Sequence, residues 1–130
     1  VARPLELIAA VAAGSALGGV GRYLVGEAVP LRAATGFPLG TLAVNVVGCF
    51  AAGFIAHLAL TQSDFSPTTR AFLLTGLCGG FTTFSAFSLE TVHMVEAGAS
   101  GRAAGYVALS LLLGVFAVVG GLSVARLVSR

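Results

Sequence analysis

The chain has 130 residues, 57% of them hydrophobic and only 9% charged, and its formal net charge of +2 rests on arginine alone among the basic residues. Soluble domains carry about 25% charged residues, so this composition, with a mean hydropathy of +1.00, excludes an ordinary water-soluble globule and fits a chain mostly embedded in lipid. No two basic residues adjoin, which sets aside a nucleic-acid groove and a polybasic lipid anchor, since both need clustered charge.

The first apolar segment, residues 5–25, holds 21 residues; at about 1.5 Å each it reaches about 31 Å, enough for a hydrocarbon core of roughly 30 Å. It lacks a short apolar region followed by a cleavage site and is expected to be retained. Ala10, Gly14 and Gly18 recur every four residues, a small-residue stripe for a neighbouring helix. Arg22 continues that stripe. Its guanidinium either snorkels to headgroups or stands at the mouth of an anion route, where a fixed positive charge concentrates anions.

A loop over residues 27–38 carries the breakers Pro30, Gly36 and Pro38. The second span is expected over residues 39–60. Thr41, Asn45, Cys49, Gly53 and His57 follow one another at i, i+4 and share one face. Asn45 is the informative member. A primary amide at membrane depth must be bonded, either as a glue between helices or with its NH2 offered to an anion. Cys49 and Cys78 form no Cys-x-x-Cys pair and sit in apolar segments, so both read as small packing residues. His57 reads as interfacial.

Ser66-Pro67 offers a cap and a first helical position for a third span over residues 69–96. These 28 residues are more than one crossing needs, as expected if residues 79–83 interrupt the helix. Gly79-Gly80 is followed by Thr82, Thr83, Ser85 and Ser88, with Phe81, Phe84 and Phe87 spaced three apart. Backbone that loses its helical bonds at membrane depth is tolerated only where protein buries it or a cavity solvates it. Broken helices are where transport proteins place ion sites, because freed carbonyls and amides become ligands. Phe84, Phe87, Ser88 and Thr91 fall on one side of the second half, with Glu90 three residues beyond Phe87.

The fourth span is expected over residues 103–127. Tyr106, Ser110 and Gly114 lie on one face. Their two hydroxyls form a polar track or bond backbone carbonyls one turn back. Four spans put Arg3, Arg70, Arg126 and Arg130 on one side and Arg22, Arg32 and Arg102 on the other. So even a split leaves no preferred orientation. Such a chain can insert both ways and pair head to tail, gaining by dimerisation the inverted symmetry that larger transporters encode as internal repeats. The expected fold is an all-α membrane protein of four transmembrane helices in one domain, the third broken, assembled as an antiparallel dual-topology homodimer.

Three motifs carry a family resemblance: GxxxRY from Gly18 to Tyr23, GTLxVNxxGCFxxG from Gly40 to Gly53, and GxCGGFTTFSxFSxE from Gly76 to Glu90. Together they resemble the Fluc fluoride channels, also called CrcB, and the resemblance covers all four spans. It implies a fluoride-selective channel, not an enzyme, for passive fluoride export across the cell inner (plasma) membrane. It further implies an antiparallel homodimer with two pores and a structural Na+ on its two-fold axis. On that resemblance Asn45 is the pore asparagine, Phe84 and Phe87 face fluoride edge-on, and Ser85 and Ser88 are the hydroxyls between them. Thr41, Glu90, Tyr106 and Ser110 extend the pathway, and Arg22 is the vestibule arginine. Gly79 and Thr82 hold Na+ through their carbonyls. Where the family often has the next hydroxyl of the last helix, this chain has Gly114, a departure that leaves the track's extension open.

The quadrupole of an aromatic ring is positive at its edge, so phenyl edges can replace part of an anion's water shell. The rival reading is a small multidrug-type proton-coupled exporter, also four spans with dual topology. It needs an ionisable residue within the membrane, whereas Glu6 and Glu27 bracket the first span and Glu90 lies past the break. A non-transporting scaffold leaves Thr82-Thr83 and the Phe triplet unexplained.

Overall fold

Glycine decides which helices meet. In the computed structural model, which describes residues 3–28 and 36–129, α1 (Pro4–Ala28) runs beside the first half of the third span. A Cβ at Gly14 would lie 2.3 Å from the Phe72 carbonyl oxygen, and one at Gly18 would lie 2.3 Å from that of Leu77. Side chains cannot fit there, so the two backbones touch directly. The Ala10–Gly14–Gly18 stripe therefore faces the third span, and the paired positions ascend together along both helices, which makes the pair parallel.

The second pair, also parallel, follows the same rule. α2 (Leu39–Thr61) packs on the last helix, α5 (Ser100–Val128). A Cβ at Gly53 would lie 2.2 Å from the Val118 oxygen, and one at Gly121 would lie 2.1 Å from the Phe50 oxygen. Contacts between the two pairs are sparser. Their apolar residues stay outside: Leu111, Val115 and Phe116 on α5 are largely exposed, as suits helices solvated by hydrocarbon. Four helices are long and apolar enough to cross a membrane: Pro4–Ala28, Leu39–Thr61, Pro67–Glu96 and Ser100–Val128. No strand occurs among the described residues. The chain is an all-helical, multi-pass membrane protein.

The third span is made of two helices, α3 over residues 67–81 and α4 (Phe84–Glu96). Ser66 caps α3 by accepting from the Thr69 N–H at 3.1 Å, with Pro67 as its first residue. From Ala71 to Cys78 the helix is π-wound, and the Gly79 N–H still reaches back five residues to Leu74 O. Such wide turns are rare and concentrate at functional sites. The interruption itself is confined to Thr82 and Thr83, whose backbones are extended. Gly79 and Gly80, read from sequence as the start of the break, remain helical. Gly80 serves close approach instead, since its Cβ would lie 2.6 Å from Ser15 O.

α4 ends in a left-handed glycine, Gly98 at φ +75°, with Ala99 N–H on Met94 O and Gly98 N–H on Val95 O. This cap needs only three residues to turn the chain. The fourth span, expected from residue 103, therefore begins earlier, and α5 starts at Ser100. At the other end Arg70 donates to Ala59 O at 2.5 Å, satisfying a carbonyl near the end of α2. Pro30 and Arg32 of the first loop, and Arg130, lie outside the described residues.

Candidate functional site

Asn45 is the hinge pin of the break. Its Oδ1 accepts from the Thr83 N–H at 2.7 Å, and its Nδ2 donates to Thr83 O at 2.9 Å. The amide thus mimics a backbone partner for the residue that has left the helical ladder. Both readings of Asn45 meet here: it ties two helices together, and its Nδ2 keeps one N–H beyond the bond to Thr83. Thr83, placed in the interruption by the sequence but given no role of its own, is the other half of the clasp. Its hydroxyl caps α4 by accepting from the Ala86 N–H at 3.1 Å. A threonine just ahead of an apolar half-helix is the sequence signal that could have found it.

Arg22 also belongs to the break. Its Nε donates to Gly80 O at 3.3 Å, a carbonyl whose usual donor four residues on would be Phe84 N–H. Arg22 also borders a small cavity with Thr41 and Thr83.

One helical turn before Asn45, at Thr41, lies a second polar knot. The Glu90 carboxylate accepts from Thr41 Oγ1 and from Tyr106 Oη, each at 2.8 Å. Tyr106 is 0% exposed. Phe37 meets its ring edge-on at 5.4 Å between centroids, and Phe87 packs on it at 5.2 Å. Phe87 in turn lies 5.5 Å from Phe84. The aromatics therefore form a row from the buried Tyr106 to Phe84, which is 78% exposed.

Beside this row is a cavity of about 240 Å³ lined by Asn45, Thr82, Thr83, Phe84, Phe87 and Ser110, and also by Cys49, Leu111 and Gly114. The buried Ser110 Oγ has no hydrogen-bond partner, so it does not bond back to its own helix. Ser88 does so: its hydroxyl donates to Phe84 O at 2.9 Å, while Ser85 lies 3.3 Å from the Thr83 hydroxyl. Neither Ser85 nor Ser88 lines this cavity. The structure thus gathers Asn45, Phe84, Phe87 and Ser110 around one cavity, and joins Thr41, Glu90 and Tyr106 in a separate hydrogen-bonded cluster.

Thr82 lies within the break, and Gly79 lies on the last helical turn leading into it. The N–H that would close a helical turn on Gly79 O belongs to Thr83 and is bound by Asn45. The one that would reach Thr82 O belongs to Ala86 and is bound by the Thr83 hydroxyl.

Four apolar spans around a clasped, polar break define an integral membrane protein with an interrupted helix. The chain belongs to the CrcB-like (Camphor Resistance, CrcB) family, whose model matches residues 9–122. It is 48% identical over 122 residues to a protein of Rhodospirillum centenum named fluoride-specific ion channel FluC, covering 94% of this chain and 97% of that one. Proteins of the same name in Agrobacterium fabrum and Rhizobium meliloti are 48% and 47% identical, covering 92% and 89% of this chain and 95% and 93% of theirs.

Proposed function

We propose that this chain is a fluoride-selective ion channel, not an enzyme, and that it gives fluoride a passive way out across the cell's inner (plasma) membrane. The likeness to three proteins named as fluoride-specific channels supports this reading. The observation that carries it is the clasped break beside a cavity lined by an amide, two phenyl rings and an unpaired hydroxyl. Those groups suit a small anion. Amide and hydroxyl donors replace its water, and ring edges supply positive potential without a fixed charge that would trap it. Arg22 and Thr41 form the approach to the break, and Glu90 with Tyr106 marks the other polar station. Ser85 and Ser88 take part only by turning their hydroxyls away from the Thr83 hydroxyl and the Phe84 carbonyl respectively.

The working unit in this proposal is an antiparallel, dual-topology homodimer with two pores. The exposure of Phe84 supports it, since a ring that faces an ion must be covered by something other than its own chain. The four-against-three division of arginines between the two sides supports it as well.

Na+ is the proposed structural ion on the two-fold axis. The Gly79 and Thr82 carbonyls fit a hard monovalent cation, because both have lost their helical donors to the Asn45–Thr83 clasp. Two copies would offer four such oxygens, and the ion would fasten the paired breaks together.

The test is efflux from reconstituted vesicles, followed with a fluoride electrode and with chloride as the control anion. Rapid fluoride loss with chloride retained is expected. Vesicles that hold both ions would overturn the proposal, as would crosslinking that finds every subunit the same way up.

A further inference from the structure

Around the cavity beside the break, most polar groups are already engaged. Asn45 uses its Oδ1 and one N–H on Thr83, and the Thr83 hydroxyl caps α4. Two groups are left over. One is Ser110 Oγ, buried without a partner. The other is the thiol of Cys49, a free and half-buried cysteine that lines the same cavity.

The two sit on successive turns. Cys49 is one turn beyond Asn45 on α2, and Gly114 is one turn beyond Ser110 on α5. The tight parallel packing at Gly53 and Gly121 holds these helices in register. As a result, the Cys49 sulfur lies 3.6 Å from where a Gly114 Cβ would be. At the step where α5 has no side chain, the facing helix supplies an S–H.

A buried hydroxyl with no partner costs free energy unless something occupies its neighbourhood. The proposed function supplies an occupant: a small anion that accepts hydrogen bonds strongly. We propose that Cys49 is a lining residue of this route, donating its S–H to the anion at the Gly114 step after Ser110. This rests on the fluoride-channel reading above. The sequence suggested that Cys49 only packs and left open whether the polar stripe on α5 extends to Gly114. The structure assigns the missing donor to α2. Thiols donate weakly, so the step holds the anion loosely and hands it on.

Fluoride efflux from vesicles would be compared for the wild type, Cys49→Ala, Cys49→Ser, and Cys49→Ala combined with Gly114→Ser. Cys49→Ala should slow efflux by about tenfold, the effect of one hydrogen bond to a charged group. Cys49→Ser should match or exceed the wild type. A serine at 114 should restore the alanine variant, because the site has ordinary contact room for a Cβ and the donor is returned from the opposite helix. A role in packing alone does not predict rescue from α5. Wild-type efflux in Cys49→Ala, or equally slow efflux in Cys49→Ser, overturns the inference while leaving the channel reading standing. A wild type that passes no fluoride removes both. Should Cys49→Ala fail to assemble, Cys49→Ser decides alone: undiminished efflux supports the donor role, and its loss overturns it.

Discussion

The two halves of the third span are built on opposite plans. α3 is held by backbone: glycines on α1 and α3 bring main chain against main chain, so nothing there can rotate or swell. α4 is held by side chains. It touches α5 through Phe87 and Tyr106, it touches α2 and α5 through Glu90, and it leaves Phe84 exposed. The anchored half fixes where the break lies, and the side-chain half presents chemistry to whatever passes. A single amide, Asn45, joins the two plans.

Attacking the joint should have the largest effect. Asn45→Asp keeps the acceptor for the Thr83 N–H but places a carboxylate oxygen against Thr83 O and charge beside the cavity. Fluoride efflux should fall to background while the protein elutes as the wild type does. Normal flux would show that the joint is scaffolding only.

Next comes the anchored half. Gly18→Ala puts a Cβ 2.3 Å from Leu77 O, against backbone that cannot yield, whereas Gly19→Ala meets nothing within 4 Å. The first should lose about 1–3 kcal/mol of stability to overpacking, and the second should be silent in thermal melts followed by gel filtration. Equal behaviour of the neighbours would break the contrast between the backbone-held and side-chain-held halves.

In the side-chain half, Phe87→Ile and Phe84→Ile remove the polarised ring edge, each slowing efflux by about tenfold or less. Phe87→Ile should also lower the melting temperature, because its ring packs between Phe84 and Tyr106. Phe84→Ile should leave the melting temperature of the single chain's fold unchanged. Unchanged rates in both would make these rings packing only.

The smallest effect belongs to the cap of α4. Thr83→Ala should cost about 1 kcal/mol, and Thr83→Ser should recover it, read as protection of the Ala86 amide from hydrogen exchange. Protection that survives Thr83→Ala would mean that α4 needs no cap.

The Ala10–Gly14–Gly18 stripe could be read because small residues at a four-residue spacing have few other uses in a lipid-facing helix. Ser66-Pro67 could be read because capping is local. The site was harder. Asn45 stood out as an amide at membrane depth, but its partner is 38 residues away and carries an ordinary threonine name. Gly79-Gly80 misled in detail: glycine marks both loose backbone and close packing, and only the nearness of Ser15 reveals the second. Cys49 carried no signal of its own, since a thiol gains meaning only from what it faces.

Composition and spacing alone determined that this chain crosses the membrane four times and that its third crossing is interrupted. Hydrocarbon imposes both: it demands about 20 apolar residues per crossing and forbids lipid-exposed backbone without partners. Tertiary structure decided which helices run side by side, that the interruption is two threonines wide, and that Asn45 closes on Thr83. These are matters of register between distant segments, set by where backbones can touch, and no local pattern encodes that distance.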